Sequence, residues 1–201
     1  WSKALSLTDV YDCMPQARRD EWNTSIREHK APDFTEDTVR STLRGLLAAR
    51  QQFFAERVDG IFRNLSHEHL TNCPEGFGRR MILAYMVNEW GSSNSGRCGY
   101  INDLRAVIAR FMGRDEPKWN STSAIVTMAR KRPGEWITLD GGTLRIRVYK
   151  KGTAHLEVHP QMAYRLNQIL AHLHPMAIPS EFRTRPKKRP KDFEMVGRPL
   201  P

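Results

Sequence analysis

The sequence predicts an α+β fold: a helical N-terminal part, a three-stranded antiparallel meander backed by a C-terminal helix, and a basic extended tail. Three observations carry this expectation. Apolar residues recur at spacings of three and four through the first 130 residues, the period of a helix with one buried face. Between Trp136 and Val158 apolar and polar residues alternate and are interrupted by glycine, the pattern of hairpins. From His174 onward proline and basic residues dominate without any period. The chain accordingly divides into an N-terminal helical extension (1–34), an α+β core domain (35–174) and a basic, proline-rich tail (175–201).

Pro15 opens a helix that runs through Trp22 and Ile26 to about Glu28, before Ala31-Pro-Asp33 breaks it. Thr35 caps a long helix whose stripe is Val39, Leu43, Leu46, Leu47, Phe53, Phe54, Val58, Ile61, Phe62 and Leu65. Arg40, Arg44, Arg50 and Arg57 form a solvated basic stripe between them. Leu70 to Phe77 is a loop. Gly78 to Trp90 carries a short apolar run compatible with a helix or a strand, and is taken as a helix. Gly91 to Gly96 reads as a flexible connection. Ile101, Leu104, Ile108 and Phe111 mark a further helix closed by Gly113. Another lies between Ser121 and Lys131.

Register can be derived for the meander. A Gly141-Gly142 turn sets Leu139 opposite Leu144, Ile137 opposite Ile146, Thr138 opposite Arg145 and Trp136 opposite Arg147. A three-residue loop, Lys150-Lys151-Gly152, faces Arg147 with His155 and Arg145 with Glu157. It keeps Val148, Ile146 and Leu144 against Ala154, Leu156 and Val158. A one-residue slip would turn every side chain to the wrong face. Pro160 then opens a helix whose Met162, Leu166, Ile169, Leu170 and Leu173 cover the apolar side.

With 32 Lys+Arg against 22 Asp+Glu in 201 residues, the net charge of +10 favours a polyanionic partner, nucleic acid first, with a basic solubilising surface as the alternative. The longest apolar run, Met81 to Val87, is far short of the roughly 20 residues a membrane span needs, so no membrane partner is expected. Cys13, Cys73 and Cys98 form no CxxC pair, which points to a reducing cytoplasm. The opening at Trp1 shows no secretory leader and suggests a piece of something longer. His67, His69 and Cys73 have zinc-ligand chemistry but no fourth ligand at a standard spacing, so no metal is expected.

Asn102-Asp103-Leu104-Arg105, the hairpin Arg147 to Leu156 and the helix Leu166 to Ala171 resemble an uncharacterised bacterial family catalogued as a domain of unknown function. The resemblance implies carriage by phages, plasmids and integrative elements, alone or fused to SAM-dependent DNA methyltransferases. The family hairpin reads Phe-Lys-Asn-Gly-Asn-x-His; Lys150, Gly152 and His155 match, while Lys151 and Thr153 replace the asparagines. The likeness spans Thr35 to His174. The chain itself has no Gly-x-Gly loop after a strand and no Asn/Asp-Pro-Pro-aromatic motif. SAM chemistry would therefore come from another segment or subunit, and no cofactor is expected here.

The polar face of the meander collects Trp136, Arg145, Arg147, Tyr149, His155 and Glu157. Three function classes compete for it. The leading one is a nucleic-acid-binding accessory module of a mobile-element DNA-modification or host-conflict system, with DNA favoured over RNA. Its contacts would be Lys150, Lys151, Arg147 and Trp136, with Arg185, Lys187, Lys188 and Arg189 from the tail. The second is a metal-independent ribonuclease or toxin, with His155 or Glu157 moving protons, Arg145 and Arg147 meeting phosphate charge, and Tyr149 stacking a base. The third is a protein-interaction domain that engages or inhibits host defence machinery. Against all three stands a purely structural account: Arg145–Glu157 as a cross-strand ion pair and Trp136–Arg147 as a cation–π contact, or the N-terminal helices packed over the face.

Overall fold

The β3–β4 hairpin is the seed from which the sheet grows. In the computed structural model, which describes residues 1–88 and 90–175, β3 (Leu144–Val148) and β4 (Ala154–Val158) pair with Arg147 opposite His155 and Arg145 opposite Glu157. The three-residue loop holds: Tyr149 donates its N–H to the Thr153 carbonyl at 2.9 Å, and Gly152 closes the turn at φ +84°. Strand β2 (Ile137–Leu139) pairs with β3 as expected, Leu139 opposite Leu144 and Ile137 opposite Ile146. Its connection is a single 3-10 turn over Asp140–Gly142.

The α+β class stands, and the expected three-stranded meander gains a fourth strand. The stretch taken as a helix from Gly78 to Trp90 contains β1 (Arg80–Leu83), antiparallel to β4, so the sheet order is β1-β4-β3-β2. The physical reason is burial on both sides. Met81 and Leu83 sit opposite Leu156 and Ala154 on the core face, whereas Ile82, opposite His155, is buried as well, and its carbonyl accepts the Ser66 N–H at 2.8 Å. A strand buried on both sides loses its alternation and imitates a buried helix. Its outer edge is closed by Asn72, whose side-chain amide donates to the Ile82 carbonyl and accepts from the Ile82 N–H, each at 2.8 Å. That occupies backbone groups an open edge would offer to another chain.

The helices are α1 (Ser2–Ser6), α2 (Asp9–Cys13), α3 (Gln16–Arg27), α4 (Glu36–Ala48), α5 (Arg50–Arg63), α6 (Ser95–Phe111), α7 (Ser121–Lys131) and α8 (Pro160–Leu173). The long helix expected from Thr35 is two, parted at Ala49, because its stripe serves two cores. Leu46 and Phe53 join Leu5, Val10 and Met14 in a small cluster, whereas Val58, Ile61 and Leu65 enter the main core. The basic stripe is not wholly solvated either: Arg57 is buried and ion-paired with Glu116 at 2.6 Å. Nor is Gly91 to Gly96 a loose connection, since Asn94 caps α6 by accepting the Arg97 N–H and residues from Ser95 on are already helical.

Helix α6 is the centre of the molecule. Cys98 through Leu104 and Ala106 through Ala109 are all buried, so the helix has neighbours on every side. Gly113 ends it at φ +63°, as its position past the last apolar residue predicts. Met162, Leu166 and Leu170 of α8 enter the same core as the apolar sheet face, together with Ile101, Leu104 and Ile108 of α6. The cover expected of α8 is therefore shared. Residues from 176 onward, including the tail's Arg185, Lys187, Lys188 and Arg189, lie outside the described residues.

Candidate nucleic-acid interface

Strand alternation puts Arg145, Arg147, His155 and Glu157 on the side of the sheet away from the core, and Trp136 and Tyr149 extend that side at the ends of β2 and β3. The two contacts of the structural account are both present. Arg145 is ion-paired to Glu157, and the Arg147 guanidinium lies 4.5 Å from the Trp136 ring centroid. Neither accounts for the whole face.

Glu157 is fully enclosed, with 1% of its side chain exposed. Arg80 and Arg79 of the β1 region also reach its Oε1, at 3.2 and 3.3 Å. Burial pushes the Glu157 carboxyl upward, but the guanidinium groups of Arg145, Arg80 and Arg79 outweigh it and hold the group below the ordinary carboxylate range. One negative charge thus meets three positive ones. Arg79 and Arg80 are not legible in the sequence as members of this face, because a strand buried on both sides has the pattern of a helix; the adjacent Arg-Arg before an apolar run is the available signal.

Arg147 has no such partner. Its guanidinium lies between two rings, Trp136 and Tyr149, the latter at 5.2 Å. Its Nε is buried without a hydrogen-bond partner among the described residues, and no carboxylate there pairs with it. Arg145 also lies over Trp136, at 5.1 Å. Tyr149 meets the His155 ring edge to face at 4.8 Å. Burial, then the charges of Arg147, His69, Lys151 and Arg80, lower the His155 pKa below its ordinary value, so the imidazole is neutral at pH 7. Lys150 and Lys151 are exposed at the hairpin tip beside these groups.

The remaining candidates separate. His69 Nδ1 shares a hydrogen bond with Ser66 Oγ at 2.7 Å, while Cys73 donates to Glu75 at 2.6 Å. Among the described residues no three His, Cys, Asp or Glu side chains converge as a metal site, and no helix there is long and apolar enough to cross a membrane.

Fold and face together define a class: an α+β domain with a cationic, aromatic sheet surface opposite its core. The family model described as domain of unknown function DUF4942 matches residues 1–176, and the chain belongs to that family. No curated protein and no solved structure matches it.

Proposed function

We propose that this chain is a nucleic-acid-binding module whose contact surface is the Trp136–Arg147–Tyr149–His155 face and the Lys150-Lys151 tip. One observation carries the reading: Arg147 is held between two aromatic rings with no carboxylate among the described residues to neutralise it. An arginine kept for the fold alone would gain most from an acid, as Arg145 does from Glu157. Rings interleaved with unpaired cations supply both things a strand needs, π-faces for bases and charge for phosphates. DNA is the favoured ligand. On the resemblance stated above, the setting is a mobile-element DNA-modification or host-conflict system, with a SAM-dependent methyltransferase or a host defence protein as a further partner.

Catalysis is the weaker reading on this face. Glu157 is ionised and held by three arginines, which removes it as a proton carrier. His155 is then left without a second acid–base group on its own strand. The test is a binding titration with labelled DNA and RNA, read alongside cleavage with and without EDTA. Arg147→Ala should cost about 1–3 kcal/mol of affinity, the range for stacking and charge at such sites, and His155→Ala less. Unaltered binding by Arg147→Ala would overturn the assignment of this face. Cleavage lost roughly 100-fold or more in His155→Ala, with binding intact, would establish the ribonuclease instead.

A further inference from the structure

Beside the hairpin tip lies a cleft of about 760 Å³ between the end of α7 and the loop after β1. Arg130, Lys131 and Lys150 line it together with the hydroxyl-bearing Ser92, Ser93 and Thr127. Among the described residues, no carboxylate lines it. Arg130 has no ion pair or hydrogen bond with its side chain among the described residues, although it is only partly exposed. What holds it is shape. Gly91, at φ +79°, sits in a tight turn in which Asn88 Oδ1 accepts the Ser92 N–H at 2.8 Å. The Arg130 guanidinium lies flat on that glycine, so that a Cβ there would stand 2.7 Å from its Nη2. The guanidinium is positioned by a contact that leaves its N–H groups without a hydrogen-bond partner among the described residues.

The cleft is continuous with the sheet face. Lys150 lines the cleft and directly follows Tyr149, whose ring belongs to the face. Pro133 lines the cleft, and the next residue, Gly134, donates its N–H to Val148 at 3.0 Å and lies beside the Tyr149 ring. We propose that the Arg130–Lys131–Lys150 cleft is a second phosphate site, gripping the backbone of the same nucleic-acid strand whose bases lie on the Trp136–Arg147–Tyr149 face. This rests on the binding reading above and deepens it: the ligand is a single strand long enough to turn the hairpin tip. The competing account is that Arg130 and Lys131 merely offset the dipole at the C-terminal end of α7. That account explains their sign but not the seat on Gly91.

The experiment compares fluorescein-labelled dT4 and dT12 on the full chain by anisotropy. The parent is expected to bind dT12 at least about tenfold more tightly than dT4, beyond what extra register positions alone give. Arg130→Gln with Lys131→Gln should erase that gain, leave dT4 unchanged, and lower the salt slope for dT12 by roughly 1.4, about 0.7 for each lost phosphate contact on a single strand. Arg130→Lys with Lys131 intact keeps the charge but not the flat seat, and is expected to lose part of the gain. The proposal is overturned if dT12 gains nothing over dT4, or if the double variant weakens both lengths alike, the mark of diffuse charge. If Trp136→Ala with Arg147→Ala leaves dT4 binding unchanged while the Arg130 and Lys131 variant still weakens dT12, the face reading fails and the cleft survives. Circular dichroism of each variant separates loss of binding from loss of fold.

Discussion

Glu157 and His155 are neighbours on β4, yet the fold treats their charges oppositely. Three arginines hold Glu157 ionised, whereas burial and surrounding positive charge hold His155 neutral. The linkage for His155 has a definite sign. Its folded pKa is below the unfolded value of about 6.5, so the unfolded chain takes up a proton first as pH falls. Its favourable share of stability is complete above about pH 6.5 and is lost below it, down through the folded pKa. His155→Gln lacks this titration. The stability difference between parent and variant, measured by urea unfolding, should therefore move against the parent as pH falls below 6.5. A difference constant from pH 8 to pH 5 would show that the imidazole is not held in this field. Much of this pairing was legible in the sequence, because strict alternation from Leu144 to Val158 fixes which side chains share a face. The three-arginine cage was not. Two of its members precede Met81-Ile-Leu83, where burial on both sides erases the period.

The Asn102-Asp103-Leu104-Arg105 segment that carries the family resemblance is an assembly point rather than a surface site. Asn102 Oδ1 accepts from Ser121 Oγ at 3.0 Å and Thr122 Oγ1 at 2.7 Å, fixing the start of α7. Arg105 pairs with Asp140 at 2.9 Å and so ties α6 to the β2–β3 turn. Asp103 accepts the Gln16 N–H at 2.7 Å and lies 3.4 Å from Arg19 and 3.6 Å from Arg57. It thereby serves as the missing cap of α3, whose own N-cap residue is Pro15. Burial pushes its carboxyl up to about 6, against the pull of both arginines, and it remains ionised at neutral pH. Asp103→Ala leaves the buried Arg19 guanidinium without its carboxylate, while Arg57 keeps Glu116, and should cost about 3–5 kcal/mol in chemical denaturation. A loss under about 1 kcal/mol would mean that α3 docks without it. Gly152 is tested the same way. At φ +84°, with a Cβ falling 2.9 Å from Val87 Cγ2, Gly152→Val should destabilise the fold by about 1–3 kcal/mol from backbone strain alone, and more from the clash. Helix ends and hairpin turns were readable because glycine, proline and cap residues mark them locally. The hub role of Asp103 was not, since its partners Arg57, Arg19 and Gln16 lie 46 to 87 positions away.

Across the whole molecule the positive excess is spread unevenly. Of the net +10, residues 176–201 supply +4, while the face and cleft supply cations such as Arg147 and Arg130 that meet no acid among the described residues. These two sources would act differently on a polyanion. Tail charge contributes through counterion release without demanding a geometry, whereas Arg147 needs a ring or phosphate in a particular place. Replacing Arg183, Arg185, Lys187, Lys188, Arg189 and Lys191 by Gln should therefore lower the salt slope of binding by as much as about 4, at about 0.7 per phosphate contact on a single strand. It should weaken all sequences and lengths alike. Arg147→Ala should change the slope by no more than about 1 and should lower affinity even at the salt concentration where the tail's share has vanished. Combining the two sets tests their independence: distant sites that share no partner should add within about 0.5 kcal/mol. A large departure from additivity would mean that tail and face meet on the same phosphates. A salt slope untouched by the tail substitutions would leave binding to the folded body alone, where Arg147, Lys150, Lys151, Arg130 and Lys131 cluster around one hairpin without ion pairs among the described residues.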